Sequence, residues 1–280
     1  QALAEVHGLT GLSADTAVLR TLPAALRNNN WQVKAFVRDH VVVGVVAGEK
    51  RPLGFAVDLG TTKIAAYLVD LATGEDLASA GAPNPQIGYG EDVISRLNHV
   101  SRHPEGGRVL ASKVQETLSE LLAELVTQAG VTSEQVAEAC IVGNTAMTHL
   151  LLQLPVRQLA TAPYVAAVGT SLSVPAAELG LNMAPGAQVY IPPCIGGFVG
   201  ADHVAMILAC DLDEGNTTSL GVDIGTNTEI AIRKPGLSFL TSASCASGPA
   251  FEGAHISDGM RAASGAIEKV RITATGVELT

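Results

Sequence analysis

Leu220-Gly221-Val222-Asp223-Ile224-Gly225-Thr226-Asn227-Thr228 repeats, 165 positions later, the pattern of Phe55-Ala56-Val57-Asp58-Leu59-Gly60-Thr61-Thr62-Lys63. In both stretches an apolar run delivers an aspartate beside a glycine turn rich in hydroxyl side chains. The similarity continues beyond each turn. After the first turn, residues 64–69 read as a second strand, 73–76 as a turn and 77–82 as a third strand. After the second, residues 229–232 read as a strand, 234–236 as a turn and 237–242 as another strand. One such match would carry little weight. Two, each heading a three-strand meander with helices between them, point to a duplicated α/β fold of two lobes. Each lobe is expected to be led by a five-stranded mixed sheet, with the second truncated on its C-terminal side.

The pattern has a chemical reason. Glycine lets the backbone bend and approach an anion. Successive backbone N–H groups, with threonine hydroxyls, form a nest for phosphate oxygens. The aspartate stands where it can hold Mg²⁺ through water, because Mg²⁺ keeps much of its hydration shell. Two such hairpins facing one another would clamp the phosphates of a nucleotide, and the expected chemistry is phosphoryl transfer.

Outward from the repeat, the periodicity predicts helices over residues 92–100, 109–129, 146–154 and 199–209, and strands over 139–142 and 188–191. Gly130 stops the second helix and Pro155 the third. Residues 1–50 read as a small separate α+β unit: a short helix at 22–26, then strands at 33–38 and 41–46 joined by Asp39-His40. The polar stretch 48–52 marks a boundary.

Composition narrows the class. The 280 residues suit about two domains. They are 47% apolar, 16% charged and 4% aromatic, with 29 glycines, so a packed core must rest on aliphatic side chains. A net charge of −10 lacks the footprint of non-specific nucleic-acid binding. No apolar run reaches the ~18–20 residues of a membrane helix, and Gln1–Glu5 lack the basic and apolar regions of a signal peptide. A cytoplasmic protein is expected. The absence of an initial Met and the stop in a strand-like run suggest a fragment of something longer. Cys140, Cys194, Cys210 and Cys245 lack iron–sulfur or C-x-x-C spacing, and read as scattered thiols.

The duplicated hairpin resembles the superfamily of acetate and sugar kinases, heat-shock chaperone ATPases and actin, the ASKHA fold. Further segments resemble one family within it, the reductive activators of corrinoid-dependent methyltransferases (RACE proteins). These are Asn84-Pro85-Gln86 with Gly90-Glu91-Asp92-Val93-Ile94-Ser95-Arg96, Val142-Gly143-Asn144-Thr145-Ala146-Met147-Thr148-His149-Leu150, and Gly248-Pro249-Ala250-Phe251-Glu252-Gly253. The resemblance implies ATP-dependent return of an oxidised Co(II) corrinoid to Co(I) in a methyltransferase or O-demethylase system. It implies ATP and Mg²⁺ as cofactors, a corrinoid protein as partner, and a homodimer. It also implies a two-iron two-sulfur cluster in a separate N-terminal domain absent from this chain. Residues 1–51 would then be the C-terminal part of a small middle or linker domain, and 52–280 the actin-like ATPase domain, with lobe 1 at about 52–215 and lobe 2 starting at about 216.

Asp58 and Asp223 are the expected catalytic ligands of hydrated Mg²⁺, although each could simply cap a turn. Gly60, Thr61, Thr62, Gly225, Thr226 and Asn227 would cradle phosphate. Lys63 either reaches a phosphate or is an ordinary exposed lysine. The general base stays open between Asp202, which begins a helix, and Glu252. Gly248 precedes Glu252, where the chain should return to the nucleotide. Asn144 is expected to line the cleft. His149 reads as a packed core histidine, and Glu229 as a strand residue pointing sideways. Asn84, Gln86, Glu91, Asp92 and Arg96 are either turns and helix caps or a surface facing the cleft or partner. A small-molecule kinase and a non-enzymatic actin-like or chaperone-like switch are the competing functions.

Overall fold

The computed structural model describes residues 2–248, 257, 267, 269–274 and 276–279. They fall into two compact units, Gln1–Ala205 and Met206–Thr280.

The first unit opens with α1 (Ala2–His7), β1 (Ser13–Ala14), α2 (Thr16–Asn28), β2 (Val33–Arg38) and β3 (Val41–Ala47). The strands form a small sheet in the order β1-β3-β2. The helix expected at 22–26 is longer. Asp15 starts it by accepting a hydrogen bond from the Ala17 N–H at 2.7 Å, and Pro23 is accommodated inside it. Phe36, Val43 and Val46 pack against Ala137, and the Gly186 N–H donates to the Val43 carbonyl at 2.8 Å.

The main sheet has six strands, one more than expected. They are β4 (Leu53–Leu59), β5 (Lys63–Asp70), β6 (Asp76–Pro83), β7 (Val136–Gly143), β8 (Leu172–Pro175) and β9 (Gln188–Ile191). Their order is β6-β5-β4-β7-β9-β8. β4, β5 and β6 form the expected antiparallel meander, whereas β4, β7 and β9 run parallel. The unexpected strand, β8, lies antiparallel on β9 at the sheet edge. It is four residues long and ends in Pro175, which a sheet edge tolerates and a sequence pattern hides.

One face of the sheet is covered by α4 (Gly106–Gln128) and α5 (Thr145–Leu151), against which α3 (Val93–Arg102) packs. Leu110, Val114, Leu118 and Leu125 of α4 are fully buried at helical spacing. Each such side chain contributes roughly 1.5–3 kcal/mol relative to exposure. Gly130, at φ 64°, ends α4 as expected.

α6 (Ala201–Ala209) crosses the division between the units. The second unit contains β10 (Ser219–Ile224), β11 (Asn227–Arg233) and β12 (Thr241–Ala246), again an antiparallel meander. Its third strand lies at 241–246 rather than 237–242. The Leu237 N–H closes a turn onto the Lys234 carbonyl at 3.3 Å, and pairing resumes only where Ile232 meets Thr241. β13 (Val270–Thr273) and β14 (Gly276–Leu279) form a separate hairpin, so the described residues of this unit show three- and two-stranded sheets in place of one five-stranded sheet.

Candidate functional site

Three parallel strands of the first unit, β4, β7 and β9, end along one edge of the sheet. Their carboxyl ends deliver Gly60-Thr61-Thr62, Asn144 and the loop of residues 192–200. Such an edge is where open α/β sheets bind ligands. Asp58, one residue from the end of β4, is exposed, and so is Lys63 at the start of β5. Gly60 is required by space: a Cβ there would lie 2.6 Å from the Lys63 carbonyl oxygen.

The turn is tied down through its carbonyls. Asn84 Nδ2 donates to the Gly60 carbonyl at 2.8 Å, an Arg96 terminal nitrogen donates to the Thr61 carbonyl, and the Asn84 N–H donates to the Thr62 carbonyl at 2.9 Å. In a planar trans peptide, the carbonyl of one residue and the N–H of the next point in opposite directions. The N–H groups of Thr61, Thr62 and Lys63 therefore face away from Asn84 and Arg96. Consecutive backbone N–H groups turned away from these partners suit an anion.

Asn84 also accepts from the Gln86 N–H at 2.9 Å, starting the 3₁₀ turn Pro85–Tyr89. Asp92 caps α3 through the Ser95 N–H at 2.7 Å. Asn84, Gln86 and Arg96 are buried, while Glu91 and Asp92 are exposed. Burial lowers the Arg96 guanidinium to about 10, opposed less strongly by the charge of Asp92, and this leaves it cationic at neutral pH. The polar run thus serves as helix caps, one of the two roles its sequence suggests. It also supports the turn from beneath, which nothing in the sequence singles out.

Asn144 caps α5 by accepting from the Met147 N–H at 3.0 Å, and its Nδ2 donates to Thr61 Oγ1 at 2.9 Å. It is buried, so it reaches the turn through Thr61. Gly200 packs on the Gly143 carbonyl and the Asn144 backbone where no Cβ fits, and Thr145 Oγ1 donates to the Gly196 carbonyl at 2.6 Å. These contacts bring the start of α6 to the same edge. Asp202 in its first turn accepts from the His203 N–H at 2.8 Å. Burial raises the nearby Cys194 thiol, with a smaller contribution from Asp202.

His149 is fully buried. Its Nδ1 lies 2.7 Å from the Thr145 carbonyl, and its Nε2 accepts from the Ala167 N–H at 2.9 Å. These partners place the proton on Nδ1, and burial lowers the imidazole's pKa. His149 is a strut between α5 and the following loop, in keeping with a core role.

In the second unit, the Gly225 N–H donates to the Asn227 carbonyl at 3.1 Å. The Ser247 and Gly248 N–H groups both donate to the Thr226 carbonyl, at 3.2 and 2.9 Å. Gly248 therefore adjoins the turn of Gly225, Thr226 and Asn227. Asp223 lies opposite Glu229 across the β10–β11 ladder. Glu229 is buried, accepts from Ser244 Oγ at 2.8 Å, and is pushed up in pKa by burial and, less strongly, by Asp223. The sequence does not mark Glu229 as a site residue, because only the strand register pairs it with Asp223. Glu252 lies outside the described residues.

The donors suit Mg²⁺ held mainly through water. Asp58 presents an exposed carboxylate beside the Gly60–Lys63 turn, and Asp223 offers hard oxygen next to Glu229. Among the described residues there is no three-ligand cage of His, Cys, Asp or Glu, and a hydrated ion does not need one.

A meander carrying Asp-x-Gly-Thr in each of two units defines an ASKHA-type protein, the class to which actin-like nucleotide-binding folds belong. More narrowly, the chain belongs to the RACo family. The RACo linker region matches residues 1–52, the RACo middle region 53–215, and the C-terminal ASKHA domain of RACo 217–280. Corrinoid activation enzyme RamQ of Eubacterium limosum is 34% identical over 247 residues, 85% of this chain and 41% of RamQ. A [Co(II) methylated amine-specific corrinoid protein] reductase of Methanosarcina barkeri is 33% identical over 230 residues, 78% of this chain and 40% of that protein. The solved structure of a reductive activator for corrinoid, iron-sulfur protein aligns with a TM-score of 0.82 at 36% identity, covering 96% of this chain and 44% of that one. The chain thus spans about two-fifths of the length of these curated relatives.

Proposed function

We propose that this chain is the nucleotide-binding part of an ATP-dependent reductive activator, which returns a corrinoid protein from Co(II) to Co(I). The observation that carries the proposal is the Gly60–Lys63 turn. Its three carbonyls are bonded to Asn84 and Arg96, which supports a turn whose backbone N–H groups cradle phosphate. The relatives support the corrinoid protein as partner, since two of them are named for acting on corrinoid proteins and a third for corrinoid activation.

In this reading Gly60, Thr61, Thr62 and Lys63 hold phosphate oxygens in the first unit, and Gly225, Thr226 and Asn227 do so in the second. Asn144 holds Thr61 in place, and Gly248 holds Thr226. Asp58 and Asp223 orient hydrated Mg²⁺, which supplies charge neutralisation when bound. Asp202 is the candidate to orient the attacking water. Residues 52–280 act as the actin-like ATPase part, with residues 1–51 as the linker side. One electron from a low-potential donor converts Co(II) to Co(I); an iron–sulfur centre, if the whole protein carries one, would relay it.

The test is ATP hydrolysis by the full-length protein with and without its corrinoid protein. Slow turnover, stimulated by the Co(II) form and yielding ADP and inorganic phosphate, is expected. A phosphorylated small molecule, or turnover indifferent to the corrinoid protein, would contradict the proposal.

A further inference from the structure

Arg96 is the largest of the fully buried side chains, and it is a cation. No carboxylate forms an ion pair with it among the described residues. Its hydrogen-bond partners are neutral: the Gly90 carbonyl at 2.8 Å from Nε, Gln86 Oε1 at 3.4 Å, Met147 Sδ at 3.3 Å, and the Thr61 carbonyl. Burying a charge without a counter-charge costs free energy, and such groups are ordinarily paired. The planar fork offers more donors than any neutral side chain, which accounts for the hydrogen bonds, but these neutral acceptors leave the charge itself unbalanced. The charge therefore calls for an explanation beyond packing.

The arrangement supplies one. The Thr61 carbonyl that Arg96 binds belongs to the same peptide as the Thr62 N–H, which points the opposite way. A guanidinium on the carbonyl side polarises that peptide and strengthens its N–H as a donor. Its positive charge also lies in a low-dielectric setting directly behind the turn, where a field is poorly screened. An anion on the outer side of the turn would complete the charge balance.

We infer that Arg96 is the buried counter-charge of the phosphate turn: a positioning residue that raises affinity for a polyphosphate without touching it. The inference rests on the phosphate-cradle reading above. It assigns the ligand class to multiply charged phosphate chains, because a remote cation favours tri- over monophosphate.

The decisive variant is Gln86→Glu. It leaves Arg96 in place and sets a carboxylate beside it, cancelling the charge at the cost of the Gln86 Nε2 bond to the Leu110 carbonyl at 3.1 Å. If Arg96 were only structural, the new ion pair would hold it as well or better and ligand affinity would not move. If Arg96 is the counter-charge, Gln86→Glu weakens polyphosphate binding while the protein stays folded by circular dichroism. The measurement is calorimetric titration of the full-length protein at pH 8 with the magnesium complexes of tripolyphosphate and ATP, and with inorganic phosphate, at two salt concentrations.

The expected result is a loss of about tenfold or more for tripolyphosphate and ATP, a smaller loss for phosphate, and a shallower salt dependence. Unchanged polyphosphate affinity in Gln86→Glu would overturn the role of Arg96 while leaving the cradle intact. An unmodified protein that binds neither tripolyphosphate nor ATP would overturn both.

Discussion

In the first meander Leu59 pairs with Ile64, leaving a four-residue turn; in the second Ile224 pairs with Thr228, leaving three. The aspartates consequently meet different partners, Asp58 opposite Ala65 and Asp223 opposite Glu229. Because side chains alternate along a strand, a one-residue slip exchanges the two faces. Phe55, Val57 and Leu59 share the buried face of the first meander with Ile64, Ala66 and Leu68, and Asp58 is turned outward. Their counterparts Leu220, Val222 and Ile224 are 62%, 46% and 55% exposed, while Asp223 shares a face with the buried Glu229. Gly221 lies on that same face, where Leu212 and Met206 leave no room for a side chain. Turn length thus decides whether the motif's aspartate lies across the ladder from an alanine or from a second carboxylate.

The largest effect expected from this difference concerns stability. Phe55→Ala should cost about 3–5 kcal/mol in denaturant unfolding, and Leu220→Ala less than about 1 kcal/mol. Equal losses would break the contrast between the faces. Activity should treat the meanders alike. Asp58→Ala and Asp223→Ala in the full-length protein should each lower ATP turnover on the order of 10²-fold or more, with little change in melting temperature. Normal turnover in either variant would restrict the site to one meander.

A smaller effect separates the supports of the two turns. Asn144→Ala removes the cap of α5 and the bond to Thr61, and should cost about 1 kcal/mol by thermal unfolding. The turn at Gly225 is held instead by the Ser247 and Gly248 backbone, which side-chain truncation cannot reach. The smallest effect is in pH dependence. The folded protein holds the Glu229 proton more tightly than the unfolded chain, because burial raises its pKa above 4.5. Glu229 therefore adds stability at low pH that is lost as pH rises from about that value through the raised folded pKa. Glu229→Gln should remove this decline; an unchanged profile would show that Glu229 titrates normally.

The two meanders were readable because each packs a distinctive local pattern into nine residues. So were α4, with its helically spaced buried aliphatic side chains, and the Asp39-His40 hairpin. Less visible features depend on distant partners. Nothing near Arg96 indicates that it reaches back 35 positions to Thr61, since that contact needs the 3₁₀ turn, α3 and β5 together. Nothing in the sequence from Asp223 to Glu229 reveals that the second turn is one residue shorter than the first. The edge strand β8 was hidden by its shortness and by Pro175, and the extent of α2 by Pro23. The sequence singles out Asp58, Gly60, Thr61 and Asn144 as site residues, and they lie at one edge of one sheet.

If both aspartate turns serve one ATP-driven reduction, the cobalt spectrum of the corrinoid protein reports it most directly. The spectrum is followed with full-length activator, a low-potential donor and ATP. Co(I) should accumulate with the unmodified protein and ATP, and fail to accumulate without ATP or with either Asp58→Ala or Asp223→Ala. Accumulation of Co(I) at the same rate without ATP, or in both variants, would contradict a shared role for the two turns.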